Sequence, residues 1–341
     1  ALASNRLPVE SLHAFKQIFD AGFKSNTVTS LEEGKYTRLS SELAAQLGKP
    51  IEGKLAALQH AGSVLVYGAN LLEEHEVAGF MIRRNLQYGM HLVVVDSPAI
   101  DLGQLANCAL APKAGTEKEL LVGLSAAAAK LGQNHNLHHG NPDPVVAAAA
   151  EKCGLSSDLL LEAAFKFAAA DQPVILFDPA RVKDLDTLKA LVDLAETCGA
   201  VLVDPKGSAN SLAAAQFGLD RTFALNGHQA AYVVLGDDVP SERLVKTLEN
   251  TPFLVVQASH ASRLTAQADV VLPVENWFEQ DGTYLNADGR LQEAHKVLTA
   301  KETVRSNQAV LEELADRLGI QITHNWEQDL QQRPSPVAIV A

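Results

Sequence analysis

The sequence predicts an α/β fold built from two doubly wound, largely parallel-sheet domains. Short apolar runs at 63–67 and 92–96 suit buried strands, and a helical pattern lies between them. Strand–helix–strand units of this length imply parallel strands joined by right-handed crossovers. Hydrophobic residues make up 47% of the 341 residues but aromatic residues only 5%, which favours alanine-, leucine- and valine-rich helices packed on sheets. The length allows two domains with separate cores.

Net charge and cysteine usage exclude several classes of function. The formal charge of −13 argues against nucleic acid or an anionic membrane as the main partner. No apolar run reaches the roughly 18 residues of a membrane span, and the first residues lack a signal-peptide pattern, so we expect a cytoplasmic protein. Cys108, Cys153 and Cys198 are widely spaced, as expected of small buried side chains in a reducing compartment.

The first elements combine a helix with a glycine-bearing turn. Residues 5–24 have apolar side chains at helical spacing, with Ser4 or Ser11 as candidate N-caps. Strand 63–67 is followed by Gly68, a helix over 76–87 and strand 92–96. A glycine turn that opens a helix favours anions through its amides and the helix dipole, although many such turns use glycine for geometry alone.

The middle of the chain continues the alternation. A helix is expected over 120–131, and two helices over 142–170 are separated near Gly154, with Ser156 or Ser157 as N-cap. Strand 173–177, helix 184–197 and strand 200–203 follow. His135, His138 and His139 suggest a metal site, but no cysteine or carboxylate lies at ligand spacing, and we favour a solvated loop.

In the last third of the chain, the sequence predicts strands at 230–235 and 253–257 and helices at 242–249 and 308–318. A poorly ordered tail is expected after His324. A buried strand at 269–272 ends at Pro273, which cannot donate to a sheet. Gly282 and Gly289 then bound an ordered loop carrying Asn286, Asp288 and Arg290, polar groups that are costly to bury unless paired.

Residues 268–292 resemble the molybdopterin oxidoreductase family, whose members carry "ADVVLP…E.(D/E)GT..N.EGR.Q" at this place. The second, glycine-bearing half is most similar to the large iron–sulphur subunit of NADH–quinone oxidoreductase (complex I) and to NAD-linked formate dehydrogenases. The resemblance covers nearly the whole chain. It implies the formate dehydrogenase/DMSO reductase fold, with one domain inserted in the other: residues 1–35 plus 212–325, residues 36–211, and a tail at 326–341.

The resemblance also implies which residues would hold a molybdenum or tungsten pterin guanine dinucleotide, if one is bound. The family loops "G.NP.E.HP", "PGTD" and "GANS.GA" have counterparts here. The implied positions are Gly68, Asn70, Asp96, Gly115 and Thr116 for one arm, and Gly207, Asn210, Asn286 and Arg290 near the other.

This sequence departs from the cofactor-binding pattern at several positions. The segment 31–39, where metal-binding members carry cysteine or selenocysteine near a histidine, contains neither, and Ser40 or Ser41 is the only fallback ligand. Ser97 and Pro98 replace Pro-Arg. Lys206 replaces the arginine of formate-oxidising members, a cation that is not interchangeable at a bidentate site. No cysteine cluster is present to hold iron and sulphur.

Three hypotheses follow. The favoured one is a cofactor-free structural part of a complex I large subunit, the G subunit, which supports electron transfer beside other subunits or an N-terminal iron–sulphur domain, peripheral to the inner membrane through that complex. In it Arg290 pairs with a carboxylate such as Glu275 or Glu279. The alternative is an active molybdenum or tungsten bis-pterin oxidoreductase such as formate dehydrogenase. The third is a generic nucleotide-binding module, for which Gly68 and Asp96 would suffice. No catalytic or metal-ligating residue is identified.

Overall fold

The computed structural model describes residues 1–25, 27–71, 73–95, 100–133, 143–225 and 227–340. The chain divides into two compact units. One combines Ala1–Ser41 with Gly207–Ala341 and is here called the split unit. The other, Glu42–Lys206, is called the continuous unit.

The chain begins with short strands and two helices. These are β1 (Leu2–Ala3), α1 (Val9–Lys16, prolonged by a π-helical turn at Gln17–Gly22), β2 (Thr29–Ser30) and α2 (Arg38–Leu47). Helix α1 starts after Pro8, which lacks a side-chain cap, so the predicted capping by Ser4 or Ser11 is wrong. Ser11 instead lies inside the helix and is buried.

The continuous unit alternates strands and helices after a 3₁₀ helix at Leu55–Gln59. Its elements are β3 (Ser63–Tyr67), α3 (Glu76–Leu86), β4 (His91–Val95), α4 (Ile100–Leu105), β5 (Cys108–Leu110), α5 (Glu117–Gln133), α6 (Pro144–Cys153), α7 (Ser157–Ala168), β6 (Pro173–Phe177), α8 (Leu185–Cys198) and β7 (Val201–Val203). The predicted boundary between α6 and α7 is confirmed: Gly154 adopts the left-handed conformation and the Ser156 hydroxyl caps α7.

The remaining elements complete the split unit. They are α9 (Ser211–Gln216), β8 (Ala231–Gly236), α10 (Glu242–Leu248), β9 (Leu254–Ala258), α11 (Arg263–Gln267), β10 (Val270–Pro273), β11 (Gly282–Leu285), β12 (Leu291–Ala294), α12 (Asn307–Leu318) and α13 (Trp326–Asp329). Strands β11 and β12 form a separate antiparallel hairpin.

Each unit contains a five-stranded parallel sheet, which confirms the predicted α/β class. The split unit has the order β10-β9-β8-β1-β2 and the continuous unit the order β5-β4-β3-β6-β7. Counted along each unit, these orders are 2-1-3-4-5 and 3-2-1-4-5. Both are doubly wound, and in such sheets ligands bind outside the carboxyl ends of the strands where the winding reverses.

Apolar side chains cover both faces of each sheet. In the split unit, Leu12, Phe15 and Leu311 belong to the core on one face, and Val245 and Leu248 to the core on the other. In the continuous unit the residues of the three inner strands, β3, β4 and β6, are almost fully buried, as parallel strands covered by helices should be.

Strand β10 differs from the prediction of a buried strand. It lies at the edge of its sheet, and Val270 and Val271 are 36% and 43% exposed. Pro273 is tolerated at its end because an edge position does not require every amide to donate. A short apolar run does not distinguish an edge strand from a central one.

The C-terminal residues are better ordered than predicted. Leu330 and Val337 are buried in the core of the split unit. The Asp329 carboxylate lies 2.7 Å from His13 Nε2, and Arg333 forms an ion pair with Asp220. The prediction of a poorly ordered tail is wrong because these tertiary contacts leave no signal in the local sequence.

Candidate functional site

The split unit has a cavity at the carboxyl ends of its central strands. Its volume is about 400 Å³. Asn5 follows β1, Glu32 follows β2 and Asp238 follows β8, and all three line the cavity. Winding reverses between β1 and β8, so this is where a doubly wound sheet binds its ligand.

The loop over 207–211, one of the predicted cofactor-binding segments, borders this cavity and is held by Glu32. The Ser208 amide donates to Glu32 Oε1 at 2.6 Å, and the Ser211 hydroxyl donates to Glu32 Oε2 at 2.5 Å. Gly207 packs directly on the same carboxylate, where a β-carbon would clash with it and with the ring of Tyr36. An acidic side chain of this chain therefore occupies donors that could receive an anion.

Asn210, also predicted to bind cofactor, is fully buried and joins three segments. Its side-chain amide donates to the Leu7 carbonyl at 2.7 Å, and its Oδ1 accepts from the Leu285 amide at 2.7 Å. Its backbone amide donates to the Asn5 carbonyl at 2.8 Å. These bonds fix the loop to the hairpin strand β11, so the side chain has a structural role.

Asn286 and Arg290 lie in the turn between β11 and β12. Asn286 Oδ1 accepts from the amides of Asp288 and Arg290 at 3.0 and 2.9 Å, which closes the turn. The Arg290 side chain is exposed and, within the described part of the chain, forms no ion pair. The predicted pairing of Arg290 with Glu275 or Glu279 is therefore wrong.

In the continuous unit, Gly68 follows β3 at the point where the winding reverses. Its φ of +66° favours glycine, and a β-carbon there would approach Arg181 Cβ to 2.7 Å, so the stem of Arg181 covers this position. Asn70 Nδ2 donates to Glu73 Oε2 at 2.8 Å. Asp96 lies outside the described residues, as do Ser97, Pro98 and the three-histidine segment.

Gly115 and Thr116 lie in the loop before α5. The Gly115 amide donates to Glu117 Oε1 at 3.1 Å, and the Thr116 hydroxyl donates to the Lys113 carbonyl at 2.7 Å. Lys183 Nζ also donates to Glu117 Oε1, at 2.6 Å. Partial burial pushes the pKa of Glu117 upward, but the bonds from Lys183 and Gly115 outweigh it and hold the pKa below its usual value.

Lys206, which the resemblance places where formate-oxidising members carry arginine, is enclosed in the continuous unit. Its ammonium group bonds to Glu52 and lies 3.4 Å from Asp204 Oδ2, and all three side chains are at most 3% exposed. Burial raises the pKa of Asp204 to about 8, with Glu52 adding to the rise and Lys206 opposing it. Burial lowers the pKa of Lys206, yet the two carboxylates outweigh it and raise the pKa above its ordinary value.

Lys206 also has an unusual backbone. Its φ of +59° lies in the left-handed region, which costs a residue with a β-carbon about 1–2 kcal/mol. The Lys206 amide donates to Asp204 Oδ1 at 2.7 Å, which holds this conformation. The lysine is therefore fixed between two acidic side chains and is not presented to a ligand.

The structure thus places Gly207, Asn210, Asn286 and Arg290 in the split unit, where Asn210 bonds to the residue before Asn286. Gly68, Asn70, Gly115 and Thr116 are in the continuous unit. Ser40 and Ser41 are buried, and their hydroxyls have no hydrogen-bond partner among the described residues. Within that same part of the chain, no group of three or more histidine, cysteine, aspartate or glutamate side chains could hold a metal ion.

Sequence reasoning missed the acidic residues that contact these loops: Glu32, Glu52 and Asp204. Glu32 was visible as part of the acidic pair that follows strand β2, but nothing local connects it to the 207–211 loop. Glu117 was visible at the last position of the "PGTD" counterpart. Its bond to the Gly115 amide depends on the folded loop.

Comparison with known families agrees with this architecture. The model of the molybdopterin oxidoreductase family matches residues 1–317. The chain belongs to the molybdopterin oxidoreductase family.

Two curated relatives show which kinds of protein in the family are similar to this chain. The F420-dependent formate dehydrogenase 2 subunit alpha of Methanococcus maripaludis is 22% identical over 332 residues, a match that covers 79% of this chain and 49% of that protein. The G subunit of the NADH-quinone oxidoreductase of Rickettsia felis is 28% identical over 116 residues, covering 34% of this chain and 16% of that protein. The chain therefore spans about half, or less, of the length of these relatives.

A solved structure shows the same fold. A chain in the formyltransferase/hydrolase complex of Methylorubrum extorquens, determined with methylofuran, superposes with a TM-score of 0.63 at 16% identity, covering 93% of this chain and 90% of that chain. In the described residues of the present protein, no helix is long and apolar enough to cross a membrane.

Proposed function

We propose that this chain is a cofactor-free structural part of a multi-subunit redox assembly, similar to the molybdopterin-fold region of the large subunit of NADH-quinone oxidoreductase, its G subunit. The observation that carries the proposal is the position of Glu32. Its carboxylate accepts from the Ser208 amide and the Ser211 hydroxyl in the loop that the family resemblance assigns to the cofactor.

Charge is the physical reason. A pterin guanine dinucleotide contains a pyrophosphate, and such a group needs amide donors or cations around it. At the 207–211 loop it would meet the Glu32 carboxylate on the same donors. Arg6, near the same strand ends, lies 3.2 Å from Asp237 Oδ2 and 3.1 Å from Asp238 Oδ1. The residues of this loop therefore do not fit a polyanion.

The continuous unit supports the same proposal. Lys206, at the position where formate-oxidising members carry arginine, is enclosed by Glu52 and Asp204. This cation is satisfied by acidic side chains of the chain itself, while the strands and turns that define the fold are retained.

The relatives indicate the kind of assembly. The Rickettsia felis relative is named as a subunit of NADH-quinone oxidoreductase, and the matched solved chain belongs to a formyltransferase/hydrolase complex. We infer that the chain works beside other subunits or an iron–sulphur domain, at the cytoplasmic side of an inner-membrane complex. Electron transfer then passes through its partners, and this chain supports their arrangement.

The alternative is an active molybdenum or tungsten oxidoreductase. The match to a formate dehydrogenase subunit over 79% of the chain favours it, because that relative aligns with most of both units. This alternative has two requirements. Glu32 would have to break its hydrogen bonds to Ser208 and Ser211, and a side chain of the protein would have to ligate the metal. Bound pterin would supply the redox chemistry, and this chain's loops would hold it.

Metal and pterin analysis separates the two. The chain is expressed in a host that makes the guanine dinucleotide cofactor, with a known molybdenum enzyme purified in parallel as the positive control. We expect far less than one molybdenum or tungsten atom per chain by inductively coupled plasma mass spectrometry, and no pterin fluorescence after oxidation. One metal atom per chain together with that fluorescence would refute the proposal.

A further inference from the structure

Helix α3 of the continuous unit carries two large apolar side chains on the side that faces away from its core. Ala78, Gly79 and Ile82 are buried against the unit. A helix of this kind normally carries polar side chains on the opposite face. On α3, Val77 is 63% exposed and Phe80 is 65% exposed, beside the exposed polar residues Glu76, Arg83 and Arg84.

These side chains border a groove of about 830 Å³. Val77, Phe80 and Met81 line it from α3, and Tyr88, 79% exposed, lines it from the turn that follows the helix. The opposite wall is residues 59–62, at the end of the 3₁₀ helix. Exposed, contiguous apolar surface of this kind marks an interaction site.

A partner can contact this groove through side chains, but the groove has no free strand edge with which a partner strand could pair. The two strands that begin directly after lining residues, β3 and β4, are each hydrogen-bonded on both sides. An added strand would therefore find no backbone partners here. An amphipathic helix, which binds a groove through apolar residues three and four positions apart, matches this surface.

Charge at the rim defines the partner further. Arg84 and His60 line the groove and are exposed, and none of the lining residues is acidic. Arg84 forms no ion pair within the described ranges, although the chain as a whole has a charge of −13. A second copy of this chain bound symmetrically would bring the positively charged rims of both copies, each with its Arg84, together. Like charges repel, so a different partner that carries carboxylates is favoured.

We propose that the α3 groove binds an amphipathic helix of a partner protein, with the apolar face of that helix on Phe80 and Tyr88 and an acidic residue facing Arg84. The proposal goes beyond the structural role described above. It does not depend on whether a pterin is bound, because the groove lies where β3 and β4 begin, whereas the predicted pterin position Gly68 follows the end of β3.

Designed helical peptides test the groove without a known partner. Three labelled peptides of equal length are titrated against the full chain by fluorescence polarisation. The first has a leucine and phenylalanine face flanked by glutamate, the second has lysine in place of glutamate, and the third has the composition of the first in scrambled order. We expect saturable binding of the first peptide, and binding about tenfold weaker or more for the other two.

Variants locate the binding. Phe80→Asp is expected to weaken binding of the glutamate peptide at least about tenfold, because it puts a charge on the apolar face. Arg84→Glu is expected to reverse the preference, so that the lysine peptide binds more tightly than the glutamate peptide. Phe165→Asp, a change at a 38% exposed aromatic on α7 of the same unit, is the matched control and should leave binding unchanged. Circular dichroism confirms that each variant is folded.

Three results would overturn the proposal. The first is no saturable binding of the glutamate peptide. The second is equal affinity for all three peptides, or an unchanged preference in Arg84→Glu. The third is a wild-type dimer in sedimentation experiments that Phe80→Asp dissociates, which would show that a second copy covers this face.

Discussion

At the scale of single residues, two of the loops assigned to cofactor by family resemblance, 207–211 and the loop before α5, are held by the protein's own acidic side chains. Glu32 and Ser208 are 176 positions apart in sequence yet share a 2.6 Å hydrogen bond. Such charge-assisted bonds contribute more than neutral ones, and their donors are costly to leave unpaired. Glu32 is thus expected to stabilise the split unit as well as to oppose a bound anion.

Glu32→Ala tests the stabilising part of this role. The substitution removes the acceptor of the Ser208 amide and the Ser211 hydroxyl, so we expect the free energy of unfolding to fall by about 2 kcal/mol. Urea denaturation measures it. Glu302→Ala, at an exposed position, is the control and should change stability by less than about 0.5 kcal/mol. Equal effects of the two substitutions would contradict the assigned role.

Asp204 gives a prediction of pH dependence. Burial raises its pKa from 3.8 to about 8 in the folded protein. Between these values the unfolded chain has released this proton and the folded chain retains it. The free energy of unfolding therefore falls as pH rises from about 4 to about 8, by at most about 1.4 kcal/mol per pH unit from this group.

Asp204→Asn removes this titration while keeping an acceptor for the Lys206 amide. Its unfolding free energy, measured by urea denaturation at pH 5, 6, 7 and 8, should fall less steeply with pH than that of the wild type. Parallel curves for the two proteins would show that Asp204 is ionised in the folded state and that the pKa is not raised.

Some of these residues could be predicted from the sequence and others could not. Gly207 and Asn210 belong to a local motif, so their position in an ordered loop was predictable. The partners that define their roles, Glu32 for Gly207 and Leu285 for Asn210, come from distant segments. Periodicity and motif spacing report on neighbours in sequence, and they do not report which side chain fills a loop after folding.

At the scale of elements, the β11–β12 hairpin depends on a glycine whose surroundings are crowded. Gly289 has a φ of +75°, and a β-carbon there would clash with the Ala338 carbonyl oxygen. Gly319, which ends α12, has a similar φ of +67° but open space around it. The two positions separate backbone strain from steric conflict.

Gly289→Ala is therefore expected to destabilise the protein more than Gly319→Ala. The second change incurs the strain of a left-handed alanine, about 1 kcal/mol, while the first adds a clash with main-chain atoms and should cost at least about 2 kcal/mol. Thermal and urea unfolding of both variants measure the difference. A smaller effect at Gly289 would mean that the contact with the C-terminal segment is absent in solution.

The elements themselves were largely predictable where local signals are strong. The cap of α7 by Ser156 and the glycine after α6 follow from preferences within one or two turns. The exposure of β10 and the order of residues 326–340 were not predictable in this way. Edge position is a property of the whole sheet, and α13 is held by the contact between Asp329 and His13.

At the scale of the whole molecule, the two units have separate parallel sheets and separate cores. The continuous unit is made from one unbroken segment, Glu42–Lys206, and the core around its sheet consists of its own residues. A compact segment with its own core should be able to fold alone.

Residues 42–206 expressed as a fragment are therefore expected to show a helical circular dichroism spectrum and a single cooperative urea transition. The split unit requires two distant segments, so residues 1–41 alone should remain unfolded and serve as the control. A continuous-unit fragment without a cooperative transition would contradict the division into independent cores.

The central claim is that the protein's own carboxylate excludes a polyanion from the 207–211 loop. Titration calorimetry with pyrophosphate tests it most directly, on the wild type and on Glu32→Ala. We expect no saturable heat from the wild type at pyrophosphate concentrations up to roughly 5 mM, which means that any binding free energy is smaller in magnitude than about 3–4 kcal/mol. Once Glu32 is removed, we expect measurable binding. Micromolar binding of pyrophosphate to the wild type, unchanged in Glu32→Ala, would contradict the account.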